Sequence, residues 1–236
     1  MVRVTLAGPA LRGLTIDAPA ASVRVLLPEP GASELVLPEW QGNEYRGPDG
    51  RRPTIRTFTP RRLRAASDPD PELDVDVVVH GQGAASTWAD GARPGSPAAV
   101  SGPGRGYEVD PDARAYVLAG DETALPAIAQ LLEVLPGTAR VDVHVEVADP
   151  VARLDLPAHP GATVTWHDLP PGAAPGTTLV DAVAAAAPGF DPDVRVWGAG
   201  EAAAVQRLRR LLIDGHGIPR GATWLRGYWQ RGRRGE

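Results

Sequence analysis

The chain of 236 residues contains no cysteine. That excludes disulfides, thiolate catalysis, iron–sulfur clusters and cysteine zinc sites. Lysine is absent too, so all 24 basic residues are arginine and every side-chain cation is a planar guanidinium. The five histidines (His80, His144, His159, His167, His216) are scattered, without His-x-x-x-His or a similar ligand spacing. A resident metal is therefore not expected, and any metal chemistry would act on a metal carried by the substrate. No apolar run approaches the length of about 18 residues that a membrane span needs. The first residues, MVRVTLAG, lack the apolar core of a secretion signal. The expectation is a cytoplasmic protein with no membrane partner. A net charge of -5 argues against general nucleic-acid binding, with the basic end from Arg226 to Arg234 as the local exception.

What is present is an ordinary globular composition, 43% hydrophobic and 22% charged. The first half reads as short β-strands. Val2–Leu6 and Ser22–Leu27 alternate, 53–59 and 73–79 are further strands, and Gly, Pro and Asp punctuate the intervals. This predicts a small antiparallel barrel over 1–111. Residues 39–52 are polar and Gly-rich and read as a loop. Near Pro111 the pattern changes to strand–helix alternation. A strand over 115–119 ends at Gly120. A helix follows on Ala124, Ile128, Leu131, Leu132 and Leu135, stopped by Pro136-Gly137. Strands over 141–147 and 163–166, a helix over 179–187, and a strand over 194–197 come next. Gly198-Ala199-Gly200 follows that strand, and a helix over 201–213 comes next. The stretch 150–175 is the loosest. Residues 112–236 thus predict a parallel α/β domain binding ligands at the carboxyl ends of its strands.

Five constellations carry chemistry. The run Arg56-Thr57-Phe58-Thr59-Pro60-Arg61-Arg62 offers a charge for a pyrophosphate, a ring for a flat surface and hydroxyls for a polar edge. Alternation sets Arg56 and Phe58 on one face and Thr57 and Thr59 on the other, and Pro60 ends regular pairing. By itself the run is equally a solvated edge strand with a basic turn. The second, His80-Gly81-Gln82-Gly83-Ala84-Ala85-Ser86, is a Gly turn entering a helix, where free backbone N–H groups suit a pyrophosphate; a plain turn with Ser86 as helix cap is the alternative. The third, Gly120-Asp121-Glu122-Thr123-Ala124, lies where a strand hands over to a helix, and the helix end alone would account for its acids. It is not a G-x-G-x-x-G fingerprint. The fourth, Trp197-Gly198-Ala199-Gly200-Glu201, repeats that position, its glycines allowing close approach to the backbone. The last, Gly227-Tyr228-Trp229-Gln230-Arg231, sets two aromatic rings near the terminus, either to stack on a planar cofactor or to pack a tail on the sheet.

In this order the chain resembles the siderophore-interacting protein family, the flavin-dependent ferric-siderophore reductases of the ferredoxin-reductase superfamily. The resemblance runs from about Val4 to Gly232 and rests on RTFTPR, HGQGAASTWA, GDETALPAI, WGAGEAAAVQRLRR and GYWQRG. It implies an N-terminal antiparallel FAD-binding β-barrel followed by a C-terminal parallel α/β domain that binds NADPH or NADH. By matching position, Arg56, Phe58 and Thr59 would contact FAD, with Thr57 and Arg61 beside them. The turn of Gly83, Ala84, Ala85 and Ser86 would hold its pyrophosphate, and His80 and Gly81 join the cofactor set. Gly120, Asp121, Glu122, Thr123, Ala124, Gly200 and Glu201 would face the nicotinamide cofactor, and Tyr228 and Trp229 join the cofactor set. Arg62, Arg64, Arg226 and Arg231 are inferred candidates for attracting an anionic ferric siderophore. The chain departs from the family in four places, one of them a slightly short turn between His80 and Gly83. Ala84 stands where Pro is usual, Phe58 replaces the more frequent Tyr, and the chain opens directly on the VRVTLAG strand, so a barrel without its leading strand is expected.

The implied activity is reduction of Fe(III) to Fe(II) with electrons from NAD(P)H, or from a ferredoxin, and release of the iron. It needs no side-chain nucleophile, consistent with the missing cysteine and the lack of any Ser/His/Asp pattern. Two other readings stay open: a general flavin or quinone reductase, and a non-catalytic protein that binds an iron chelate.

Overall fold

The computed structural model describes residues 1–29, 32, 34–64, 70–81 and 83–232. Gln82, Arg233 and Arg234, named above within motifs, lie outside the described residues. The chain divides into two compact units, with the break between Gly106 and Tyr107.

The first unit is built from short antiparallel strands. In chain order these are β1 (Val2–Ala7), β2 (Val23–Leu26), β3 (Glu39–Trp40), β4 (Tyr45–Arg46), β5 (Ile55–Phe58), β6 (Pro60–Arg64) and β7 (Glu72–Val77). Helix α1 (Ala84–Gly91) and strand β8 (Ala99–Ser101) follow. Two three-stranded sheets form, ordered β1-β7-β6 and β5-β2-β8. Both feed one core, because the inward positions of the alternating strands are apolar: Val23 and Val25 from one sheet meet Leu73, Val75 and Val77 from the other. Strand β1 pairs with β7 and forms the edge of its sheet.

Two expectations for this unit are corrected. The stretch 39–52 is not all loop, since β3 and β4 pair as a hairpin, Trp40 opposite Tyr45. Cross-strand aromatic contact, with ring centroids 5.0 Å apart, supports two-residue strands that the polar composition conceals. Pro60 also does not simply end pairing. It stops the ladder of β5 with β2 and opens β6, which pairs with β7 from Val75 onward.

The second unit contains β9 (Ala115–Gly120), α2 (Leu125–Val134), β10 (Arg140–Val147), β11 (Ala162–Asp168), α3 (Thr177–Ala186), β12 (Arg195–Glu201), α4 (Ala202–Arg209) and β13 (Thr223–Trp229). Helix α4 runs on into a π-helical segment, Arg210–Gly215. All neighbouring strands are parallel, in the order β11-β10-β9-β12-β13. Numbered within this unit the order is 3-2-1-4-5, the doubly wound arrangement whose direction reverses between its first and fourth strands, here β9 and β12. Helices α3 and α4 cover one face, where Leu179, Val183, Val205 and Leu208 close over Val117, Ala119 and Val196. Right-handed crossovers place α2 on the opposite face.

The strand does not end at Trp197 but runs on through the glycines to Glu201. Strand β12 continues through Gly198 and Gly200 because the sheet needs them there. A Cβ on Gly198 would lie 2.8 Å from Leu225 and 3.1 Å from the Ala119 carbonyl oxygen. The chain's last described stretch is likewise sheet rather than tail, since β13 pairs with β12 over its length.

Candidate cofactor sites

In the first unit, Arg56 and Phe58 sit on β5 opposite Val25 and Val23. Phe58 packs into the shared core beside Trp88 of α1, ring centroids 6.4 Å apart, so the end of β5 lies against that helix. Thr57 is exposed but Thr59 is buried. The expected common face for the two threonines is lost because the chain crosses between sheets at Thr59. Arg56 is half-buried. Its Nη1 donates to the Ile55 carbonyl at 2.8 Å, and no carboxylate among the described residues pairs with it. Burial therefore pushes its pKa below the ordinary guanidinium value. Its other N–H donors are free to take an anion.

Helix α1 begins just after Gly83, whose φ of 84° is in the left-handed region. Thr87 closes the first turn by donating its N–H to the Gly83 carbonyl at 3.0 Å. The N–H groups of Ala84, Ala85 and Ser86 have no acceptor within the helix and, with the helix dipole, favour negative charge. The Ser86 side chain does not join them. It is buried and pins the turn to the end of β7, accepting from the His80 N–H at 3.3 Å and donating to the Val78 carbonyl at 3.3 Å. Gly81 also has positive φ, 76°. The indole nitrogen of Trp88 is buried with no hydrogen-bond partner. A guanidinium with no carboxylate partner among the described residues, a row of free N–H groups and this orphaned donor fit a flavin dinucleotide, whose pyrophosphate brings two negative charges.

The candidate substrate arginines divide. Arg62 is exposed on β6, and Arg61 beside it is half-buried. Arg64 is spent on structure. It pairs with Asp74 and, at 2.8 Å, with Glu72, and so ties β6 to β7 while holding the Asp74 carboxyl below the usual range. Arg226, in the second unit, is exposed and lies over the Trp224 ring at 5.2 Å. The Arg231 backbone N–H reaches Glu201 Oε1 at 3.3 Å.

In the second unit the loops after β9 and β12 both open at the strand-order reversal, where doubly wound sheets bind nucleotides. Asp121 organises this edge from inside. Its Oδ1 accepts from the Thr123 N–H at 2.9 Å and the Thr123 hydroxyl at 2.5 Å. Its Oδ2 accepts from the Glu201 N–H at 3.0 Å and the Trp229 indole N–H at 2.7 Å. One carboxylate thus joins the ends of β9, β12 and β13. Gly200 leaves it room, because a Cβ there would lie 2.6 Å from Asp121 Oδ2. Gly120 is equally tight, with a Cβ falling 2.4 Å from that of Ala124. Glu201 is buried and caps α4 by accepting from the Ala204 N–H at 2.9 Å. Glu122 binds the Ala148 N–H at the end of β10. Asp121, Thr123 and Glu201 therefore hold the edge together from within, and Ala124 is fully buried. Tyr228 packs edge-on against Trp197, and Trp197 stacks on Trp224 at 5.5 Å.

Burial raises the Asp121 pKa to about 6, with the bonds from Thr123 and Trp229 opposing the shift and the charge of Glu122 adding to it. A carboxyl whose folded pKa lies above its unfolded value binds its proton more tightly when folded. Its stabilising contribution is therefore complete below the unfolded pKa and lost as pH rises through about 6. Between pH 7.5 and pH 5 the wild type should gain about 1 kcal/mol relative to Asp121→Asn, read from urea melts of both proteins at each pH. A gap that stays constant with pH would contradict this.

Three features of this unit escape local sequence reading. Asp121 and Trp229 meet from opposite ends of the unit. Glu146, buried on β10, caps α3 by accepting from the Gly176 and Leu179 N–H groups at 2.5 and 3.0 Å. His144 and His167, set apart in sequence, stack on neighbouring strands with Nδ1 and Nε2 3.2 Å apart, and burial lowers both pKa values. Alternating apolar runs mark the strands, but pairing between them is not a local property. Among the described residues no group of three or more His, Asp or Glu side chains is placed to hold a metal ion. No helix among them is long and apolar enough to cross a membrane.

Comparison with known proteins decides the family. The model described as siderophore-interacting FAD-binding domain matches residues 1–107, and that described as siderophore-interacting protein matches residues 113–232. The chain belongs to the siderophore-interacting protein family. Its first unit is the family's FAD-binding domain, and FAD is its cofactor. The structure of a siderophore utilization protein from T. fusca superposes with a TM-score of 0.76 at 35% identity, covering 98% of this chain and 87% of that one. The ferric vibriobactin reductase ViuB of Vibrio cholerae is 31% identical over 237 residues, 100% of this chain and 86% of ViuB. The NADPH-dependent ferric-chelate reductase of Escherichia coli is 36% identical over 153 residues, 62% of this chain and 57% of that protein. Mycobacterium tuberculosis has a 47% identical relative, matched over 104 residues that make up only 36% of its length and 44% of this chain. The fold extends to the ferredoxin reductase in carbazole 1,9a-dioxygenase, with a TM-score of 0.61 at 15% identity.

Proposed function

We propose that this protein reduces the Fe(III) of a ferric siderophore to Fe(II), using FAD and electrons from NAD(P)H, and so releases the iron in the cytoplasm. The observation that carries the reading is the strand-order reversal between β9 and β12 in a chain whose first unit is an FAD-binding domain. A flavin domain joined to a dinucleotide-type sheet is the equipment of a pyridine-nucleotide-driven reductase. ViuB, similar along the whole chain, supplies the ferric substrate class by its name.

The side chains bind and orient. Arg56 and the N–H groups of Ala84, Ala85 and Ser86 neutralise and fix the pyrophosphate. The loops after β9 and β12, braced by Asp121, present backbone to the nicotinamide nucleotide. FAD held there would supply the two-electron to one-electron redox chemistry that a one-electron metal acceptor needs. Arg62 on β6 and Arg226 on β13 are each exposed, and each by itself would attract an anionic ferric chelate. Reduction lowers the charge on iron and weakens the hold of hard oxygen ligands, so the metal leaves.

The test is Fe(II) capture by a ferrous-specific chelator during NADH or NADPH oxidation, with a ferric siderophore, a quinone or free flavin as acceptor and reduced ferredoxin as the alternative donor. Ferric siderophore should give both the fastest turnover and stoichiometric Fe(II). Fast turnover with quinone or free flavin and none with ferric siderophore would replace this reading by a general flavin or quinone reductase. A protein that binds the chelate but consumes no reductant would be a binding protein.

A further inference from the structure

We infer that the Arg153–Asp168 ion pair makes this protein select NADH over NADPH; the inference rests on the dinucleotide site proposed above. A dinucleotide laid across a strand-order reversal sends one nucleotide half over each side of the sheet. The adenosine ribose is read at the end of the strand following the first, here β10. A 2′-phosphate at that ribose needs an uncommitted cation, whereas a 2′-hydroxyl needs an acceptor.

The structure supplies the acceptor and withholds the cation. Strand β10 ends at Val147, which is in register with Asp168 at the end of β11. Both carboxylate oxygens of Asp168 lie 2.6 Å from Arg153 Nη2. Arg153 is the sole arginine between β10 and α3, and the same stretch carries Asp149, Asp155 and Asp168. Asp149 is committed, its Oδ1 accepting the Val151 N–H at 2.9 Å. Glu122 adds another carboxylate at the end of β10 through its bond to Ala148. The guanidinium that would meet a 2′-phosphate is already neutralised, and the surrounding charge is negative. Asp168 keeps about half its side chain open to solvent and can accept a ribose hydroxyl without releasing Arg153.

The experiment is calorimetric titration of the FAD-loaded protein with ADP-ribose and with 2′-phospho-ADP-ribose, which report binding without turnover. ADP-ribose should bind about 10-fold or more tightly than its 2′-phosphate, a gap set by like-charge repulsion at a partly exposed site. Asp168→Asn frees Arg153 and should raise affinity for the 2′-phosphate about 10-fold, closing the gap. Arg153→Ala removes the sole local cation and should widen it. Equal or tighter binding of the 2′-phosphate by the wild type would overturn the NADH assignment and leave the dinucleotide site standing. Binding of neither compound would overturn the dinucleotide site and this inference with it. A gap that neither variant moves would overturn the role of the ion pair even if the wild type prefers ADP-ribose.

Discussion

Arg56→Ala lowers the affinity of the folded protein for FAD about 100-fold, the loss expected when a charge-assisted contact to phosphate disappears from a partly buried position. Among the described residues no carboxylate pairs with the guanidinium, so the variant breaks no ion pair among them and orphans none of their carboxylates. Removing a desolvated charge without a partner should leave the thermal stability of the flavin-free protein unchanged or slightly raised. Lowered affinity with undiminished stability separates an anion contact from a structural arginine. Arg56→Lys keeps the charge but not the planar fork, and should recover only part of the affinity. Fluorescence titration of FAD against wild type and both variants measures this. An Arg56→Ala protein that retains wild-type FAD affinity would remove Arg56 from the site.

Asp121→Ala is expected to cost about 3–5 kcal/mol, because it strands donors whose shared acceptor was buried. Two are main-chain N–H groups, of Thr123 and Glu201, one is the Thr123 hydroxyl and one the Trp229 indole. The three strand ends it joins should loosen, and reduction by pyridine nucleotide should be lost. FAD binding, seated in the other unit, should persist. Urea unfolding and a flavin titration together give the answer. A stability loss under about 1 kcal/mol would mean that these bonds are replaceable by water.

The strands and helices were legible where one local rule governs. Alternation marked β1, β2 and β5, and the 3.6-residue period with Pro136-Gly137 marked α2. Sequence reading failed where a distant partner decides. Gly198 and Gly200 look like the break between strand and helix until Leu225 and Asp121 are seen to occupy the space their side chains would need. Tyr228 and Trp229 suggest a tail until β13 is seen to complete the sheet. The positions of the candidate residues followed from the order of the motifs, but their division of labour did not. Ser86, Asp121 and Glu201 turn inward and hold loops in place, and Arg64 is absorbed by Asp74 and Glu72. Composition cannot distinguish a carboxylate that faces a ligand from one that faces four donors of its own chain.

The central claim is that electrons from a pyridine nucleotide reach siderophore-bound iron through the flavin of this protein. It is tested most directly by anaerobic single-turnover mixing. The FAD-loaded protein is reduced with one equivalent of NADH and then mixed with a ferric siderophore while flavin absorbance and chelator-trapped Fe(II) are followed. The account predicts that the flavin colour returns in step with two Fe(II) per flavin. Reduced protein that keeps its electrons in the presence of ferric siderophore, yet loses them promptly to a quinone, would contradict it.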